Sequence, residues 1–240
     1  MNIVLLGYGK MGKEIEKICH EQNHTIVARI DNESDWNTYH KELLLADVAI
    51  EFSMPTTVLD NIQKCFQLHL PIVVGTTGWY DKKEEIAAQC KKENQALIFG
   101  SNFSIGVNLF FHINQMVAKV MNQYPQYQAA MEEIHHTQKL DAPSGTAISL
   151  AETIIKELNI LKSWQKGTSN NTAILGIESK RIDPTPGTHS ITYQSDIDEI
   201  ELIHTAKSRA GFAKGAVFAA EWIANKKGWF EFKDLLFSKY

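Results

Sequence analysis

Apolar and polar positions along the first hundred residues alternate between two rhythms. Short apolar runs at residues 3–6, 25–30, 48–52, 71–75 and 96–100 are rich in branched side chains and too short for stable isolated helices. Runs of this kind match the strands of a parallel sheet that is covered on both faces. The stretches between them have a helical period. Met11, Ile15, Ile18 and Cys19 recur on one side of a helix, while Lys13, Glu14, Lys17 and Glu21 occupy the other. Strand and helix alternating in this way predict right-handed βαβ units and a doubly wound, Rossmann-type α/β fold.

After Asn102 the rhythm changes. Val107, Phe110, Ile113, Val117, Val120 and Met121 predict a long amphipathic helix, and residues 128–136 an extended segment. Ser144 stands where it can cap a second helix running through Leu150, Ile154 and Leu158. Residues 188–205 alternate on period two around a polar turn near Asp196, which predicts an antiparallel pair. A final helix is expected from about residue 212 to 225, with Gly228 as its stop. Together these patterns predict a dinucleotide-binding domain over residues 1–104, rejoined by 209–240. A second α+β domain with a mixed or antiparallel sheet is expected over residues 105–208.

Composition narrows the class of function. With 44% hydrophobic and 22% charged residues in 240, the chain can bury a substantial core. The net charge of −4 offers no global attraction to nucleic acid or anionic membranes. No run approaches the ~18 apolar residues of a membrane span, and the first residues lack a leader pattern, so a cytoplasmic protein without nucleic-acid or membrane partners is expected. Cys19, Cys65 and Cys90 lack metal-ligand spacing and read as reduced packing residues, and no metal site is expected.

The segment from Gly7 to Gly12 has GxGxxG spacing directly after an apolar strand and before a helix. Gly7 permits a tight turn, Gly9 lets a pyrophosphate approach the backbone, and Gly12 lets helix and strand pack closely. Asp31 ends the second strand, where a carboxylate can accept hydrogen bonds from an adenosine ribose. Gly75, Thr76 and Thr77 follow the fourth strand; Gly100, Ser101, Asn102 and Phe103 follow the fifth. Ligands of open α/β sheets lie at such carboxyl ends, although either loop taken alone reads as an ordinary turn.

The densest chemistry is in EIHHTQKLDAPSGTA, Glu133 to Ala147. On an extended strand His135 and His136 face opposite ways, so they do not chelate one metal together. Imidazole suits proton transfer near neutral pH, Lys139 can donate to an anion or protonate a reacting group, and Ser144, Gly145 and Thr146 form a helix start suited to a carboxylate. Arg209, within SRAGFAKGA, reads either as a surface ion pair or as a further partner for a carboxylate.

These segments resemble the bacterial 4-hydroxy-tetrahydrodipicolinate reductases, also called dihydrodipicolinate reductases, of lysine and diaminopimelate synthesis. EIHHTQKLDAPSGTA is close to the family signature, and GTTG at 75–78, NFSIGVN at 102–108 and SRAGFAKGA at 208–216 follow in the family's order. The resemblance implies a nicotinamide-binding first domain, a second domain that binds a cyclic dicarboxylate, and a homotetramer assembled through the second sheet. It implies hydride transfer with loss of the 4-hydroxyl as water. His135 resembles the acid/base histidine and Lys139 the proton donor, while His136, Ser144, Gly145, Thr146 and Arg209 are the expected substrate contacts. The expected cofactor contacts are Gly7, Tyr8, Gly9, Lys10, Met11, Gly12, Asp31, Gly75, Thr76, Thr77 and Gly100 to Phe103. Lys10, Asn32 and Met54 depart from common family residues. Asp31 without a following cation predicts that NADH is used at least as well as NADPH, with NADPH also accepted. An amino-acid dehydrogenase of similar architecture and a non-catalytic dinucleotide sensor are the alternatives.

Overall fold

The computed structural model describes residues 1–237. The chain begins with β1 (Asn2–Leu6), α1 (Lys10–Glu21), β2 (Thr25–Ile30), α2 (Glu33–Thr38), α3 (His40–Leu43), β3 (Val48–Glu51), α4 (Val58–Gln67), β4 (Ile72–Val74), α5 (Lys83–Lys92) and β5 (Ala96–Phe99). It continues through α6 (Ile105–Met121), β6 (Gln128–His135), α7 (Gly145–Glu157), β7 (Ser163–Lys166), β8 (Ile174–Arg181), β9 (Gly187–Gln194) and β10 (Glu199–Ala206). It ends in α8 (Ala210–Ile223), β11 (Gly228–Glu231) and α9 (Phe232–Phe237). Two compact units result: one from Met1–Ile105 with the chain from Ala210 onward, the other Gly106–Arg209.

The first unit is a six-stranded parallel sheet in the order β2-β1-β3-β4-β5-β11. Its strands are apolar throughout because both faces are covered. Alternate residues of β1 serve different layers: Val4 and Leu6 pack with Trp36, Ile62, Phe66 and Ile86, whereas Ile3 and Leu5 pack with Ile15 and Ile18 of α1 and with Ala216, Val217 and Ala220 of α8. The small residues of α8 let it come close to the chain: a Cβ at Gly215 would lie 1.7 Å from the Phe103 carbonyl oxygen.

Gly228 does not stop the last long helix. Helix α8 ends at Ile223, and Gly228, at φ +127°, opens strand β11, which extends the sheet beside β5. Its N–H donates to Gln95 O at 2.7 Å. Four residues that end in Glu231 carry too little alternation to reveal a strand by themselves.

The second unit holds a five-stranded mixed sheet in the order β10-β9-β6-β8-β7. The β9–β10 pair is antiparallel, as the alternation over 188–205 predicts; the β6–β9 pair is antiparallel as well, and the β6–β8 and β8–β7 pairs are parallel. Strands β7 and β8 escape a reading by pattern. The first is SWQK, mostly exposed, and the second is interrupted by Gly176 and charged toward its end. On the inner face Met131, Leu175, Ile177, Ile191 and Tyr193 pack with Phe110 and Met121 of α6 and Leu150, Ala151 and Ile154 of α7. The opposite face presents Ala130, Glu178, Ile203 and Thr205, all exposed and none part of that core. Among the described residues no helix is long and apolar enough to cross a membrane.

Candidate functional site

In the first unit, β1 lies between β2 and β3, where the strand order reverses, and the loop from Gly7 to Gly12 leaves its carboxyl end at that point. This is where open α/β sheets bind nucleotides. Gly7 has φ +89°, and a Cβ there would lie 2.5 Å from Phe52 O; one at Gly12 would lie 2.4 Å from Gly7 O. A Cβ at Gly9 would instead meet nothing within 4 Å. No side chain caps α1, and its first turn carries no acid, so its N-terminal N–H groups and dipole are suited to a phosphate. Lys10 is exposed and Met11 half-buried at this start.

Asp31 is exposed at the end of β2, and its Oδ1 accepts the Tyr8 N–H at 2.9 Å. Tyr8 is held from its other end, where its hydroxyl donates to Glu16, which also pairs with Arg29. A cavity of about 460 Å³ is lined by Gly7, Tyr8, Gly9, Asp31, Trp36 and Met54, among others. Asn32 is occupied as the cap of α2, accepting from Ser34 N at 3.0 Å, and Asp35 accepts from Asp31 N at 2.8 Å. Lys64 is paired with Glu33 at 2.5 Å and Asp60 at 2.7 Å.

The loops after β4 and β5 leave the same carboxyl edge of the sheet. Gly75 lies against the Phe52 ring, Thr76 is buried with its carbonyl accepting the Trp79 indole N–H at 2.8 Å, and Thr77 is exposed. Gly100 is half-buried and Ser101 exposed, and Asn102 Oδ1 accepts from Ser104 N at 2.8 Å. Phe103 is buried, with ring centroids 5.8 Å from Phe52 and 4.7 Å from Phe232, so it offers a ligand its backbone. The glycine cradle, the uncapped helix and the exposed acid at the end of β2 fit a nicotinamide dinucleotide. One buried group here was hidden in the apolar run VAIE. Burial pushes the Glu51 carboxyl up, against hydrogen bonds such as that from Ser53 N at 3.0 Å.

The second unit assembles its chemistry around Glu133, which is 0% exposed. Both of its oxygens accept from Ser144 N, at 3.0 and 3.1 Å, and Arg181 Nη2 approaches to 3.3 Å. Ser144 is the N-cap of α7, and its Oγ accepts from Ala147 N at 3.2 Å and lies 3.2 Å from His189 Nε2. His135 Nδ1 lies 3.4 Å from Glu133 Oε2 but is not aligned for a hydrogen bond. The His135 and His189 rings meet edge to face, 5.1 Å between centroids. Burial lowers the proton affinity of both: His189 falls to about 4, and for His135 the Glu133 charge opposes the fall. Burial would raise Glu133, but hydrogen bonds from Ser144 and the neighbouring His135 keep it below the usual range.

Lys139 is half-buried and holds Asp141 through both carboxylate oxygens, at 2.7 and 2.8 Å. Strand β6 ends at His135, so His136, half-buried, lies just beyond it; Gly145 is exposed and Thr146 half-buried at the first turn of α7. Arg209 is exposed in the turn before α8. The cluster thus joins His135 and Ser144 through Glu133 and reaches the Lys139 segment through Arg181, which donates to Lys139 O and Asp141 O. Pattern reading missed Glu133, Asp141, Arg181 and His189. A carboxylate two places before His135, on the inward side of a strand, was the available signal. Glu133, His135 and His189 bring ligand atoms within 4.8 Å of one another, yet the Arg181 guanidinium already supplies the positive charge beside Glu133.

Residues 1–103 match the family model described as dihydrodipicolinate reductase, N-terminus, and residues 106–236 match dihydrodipicolinate reductase, C-terminus. The chain is 48% identical over 239 residues to a 4-hydroxy-tetrahydrodipicolinate reductase of Christiangramia forsetii, covering 98% of each. It is 36% identical over 201 residues to one from Neisseria gonorrhoeae, covering 81% of this chain and 74% of that one. A solved dihydrodipicolinate reductase of Paenisporosarcina sp. TG-14, with dipicolinate bound, shares the fold at a TM-score of 0.77 and 22% identity, over 98% of this chain and 99% of that one.

Proposed function

The chain belongs to the dihydrodipicolinate reductase family, and from that premise we propose that it reduces 4-hydroxy-tetrahydrodipicolinate to tetrahydrodipicolinate with release of water. It is an NAD(P)H-dependent oxidoreductase, and the bound nicotinamide supplies the hydride. The first unit orients the nucleotide through the Gly7–Gly12 loop, Asp31 and the loops at Gly75–Thr77 and Gly100–Phe103. In the second unit His135 acts as acid/base and Lys139 as proton donor. His136, Ser144, Gly145, Thr146 and Arg209 hold the substrate carboxylates. The observation that carries this reading is the α7 start beside His135 and the Lys139 segment: a helix N-terminus, whose Ser144 N–H is held by Glu133, together with an imidazole and an ammonium, suits one small dianion. Asp141 holds the Lys139 ammonium until a substrate carboxylate competes for it.

NADH is used at least as well as NADPH. A 2′-phosphate beside Asp31 meets Glu33 and Asp35 as well, while Asn32 is committed to capping α2 and Lys64 to Glu33 and Asp60. Lys10 is the remaining cation of the glycine loop and accounts for NADPH being accepted. The same reading includes a cytoplasmic homotetramer joined through the uncovered face of the second sheet, because Ile134 and Ile203 on it leave apolar area that a second copy would cover.

The test is oxidation of NADH and NADPH, followed spectrophotometrically, with enzymatically generated 4-hydroxy-tetrahydrodipicolinate. Turnover with this substrate and none with amino acids is expected. Binding of nucleotide without turnover would favour a sensor. Light scattering at micromolar concentration should report four chains per particle, and a monomer mass would remove the tetramer.

A further inference from the structure

Glu133 and Arg181 have no part in the reaction as proposed, yet both are placed at its centre. A buried carboxylate is costly unless it is paired and fully hydrogen-bonded, and Glu133 meets that demand with partners from separate segments. Ser144 N donates from the start of α7, and the His135 ring at the end of β6 stands 3.4 Å away as a neighbour without a hydrogen bond. Arg181 comes from the end of β8, where it is the register partner of His135. Its guanidinium then spans further. Nη2 donates to Asp141 O at 2.5 Å, Nε to Lys139 O at 3.3 Å and Nη1 to Lys180 O at 2.8 Å. A planar fork can hold two carbonyls and a carboxylate at once, which the single ammonium of a lysine cannot.

We infer that Glu133 is the positioning residue of the second unit and that Arg181 extends its hold to the Lys139 segment, so that His135, Lys139 and the start of α7 keep one fixed arrangement. The inference rests on the proposed roles of His135 and Lys139. It also makes Glu133 an electrostatic neighbour of the imidazole. Glu133 and Asp141 favour the protonated form of His135, whereas Lys139, Arg181, the adjacent His189 and burial oppose it. Removing the Glu133 charge therefore lowers the proton affinity of His135 further.

The experiment compares Glu133→Gln, Glu133→Asp, Arg181→Lys and His135→Ala for turnover across pH, with NADH binding by calorimetry as a control on the intact nucleotide-binding unit. Glu133→Gln is expected to lower kcat/KM by about 10- to 100-fold, the worth of a charge-assisted hydrogen bond, and to move the inflection due to His135 to lower pH. Arg181→Lys should lose activity within the same range of about 10- to 100-fold while its inflection stays at the wild-type pH, since the charge is kept. Glu133→Asp should keep the inflection and recover part of the turnover. Wild-type turnover in Glu133→Gln, or lost turnover with an unmoved inflection, overturns the inference. If Glu133→Gln does not fold, Arg181→Lys and Glu133→Asp decide, and wild-type turnover in both overturns it. Wild-type turnover in His135→Ala overturns the proposed function together with this inference, whereas an inactive His135→Ala beside a wild-type Glu133→Gln overturns this inference alone.

Discussion

In the first unit the proposed ligand surface is made largely of backbone: two glycines with no room for a Cβ, an uncapped helix start, and one exposed carboxylate. In the second it is made of side chains, gathered on a buried glutamate with an arginine and two histidines around it. The two constructions fail in different ways. A backbone surface depends on a few positions where nothing larger than hydrogen fits and is indifferent to most others. A side-chain network shares its stability among partners, so one substitution disturbs several of them and leaves charge uncompensated.

The sharpest break in the comparison is Gly12→Val. Its Cβ would stand 2.4 Å from a backbone oxygen that cannot swing aside, so NADH binding measured by calorimetry should be lost entirely. Retained binding would mean that the glycine loop is not the nucleotide cradle. Next come His135→Ala and Lys139→Ala, which should lower kcat by about 10²- to 10⁴-fold and leave NADH affinity unchanged, the range expected of acid/base groups. Turnover within a factor of about two of wild type in both would remove them from the chemistry.

Acidification should then separate the units. His189, buried and neutral with a folded-state value of about 4 against 6.5 for the free side chain, contributes stability that is present above pH 6.5 and drains away as pH falls toward 4. The loss is of the order of 3 kcal/mol. Glu133, held below its usual range, adds to the loss at still lower pH. Glu51 of the first unit, pushed up by burial, works in the opposite sense. Its contribution is fully present below 4.5 and lost as pH rises through its folded value. Hydrogen exchange at pH 5 should therefore show the amides of β6 and β9 losing protection before those of β1 and β3; the reverse order would contradict the charge assignment.

The smallest effect expected concerns the ribose. Asp31→Ala should raise kcat/KM for NADPH and lower it for NADH, with a combined shift of about tenfold, near 1.4 kcal/mol. An unchanged ratio would place the discrimination elsewhere.

The same contrast explains what was legible in the chain. Gly7, Gly9 and Gly12 lie close together where a plain strand passes into a plain helix, Asp31 ends the next strand, and each demand on them is local. Ser144 as a cap was legible for that reason too. Glu133 and Arg181 are 48 residues apart, and Ser144 and His189 are 45 apart; only the pairing of β6 with β8 and β9 brings them together. β8 itself could not be read from alternation, so the register that sets Arg181 opposite His135 was hidden with it. Strand β11 was hidden because its place is fixed by β5, not by its own four residues.

The order in which the two units draw on the chain bears on how the protein is made. Residues 106–209 form their unit from one uninterrupted stretch, whereas the nucleotide-binding unit needs α8 and β11 as well as residues 1–105. During synthesis, at roughly 5 to 20 residues per second, the sheet face that carries Ile3, Leu5, Val48 and Ile50 stays without Ala213, Ala216, Val217 and Ala220 until the last part of the chain emerges. The nascent protein thus carries a finished second unit and a first unit whose one face is covered by α1 without α8. A ribosome stalled after residue 209 should hold a chain that contains every glycine of the cofactor loop and still binds no nucleotide.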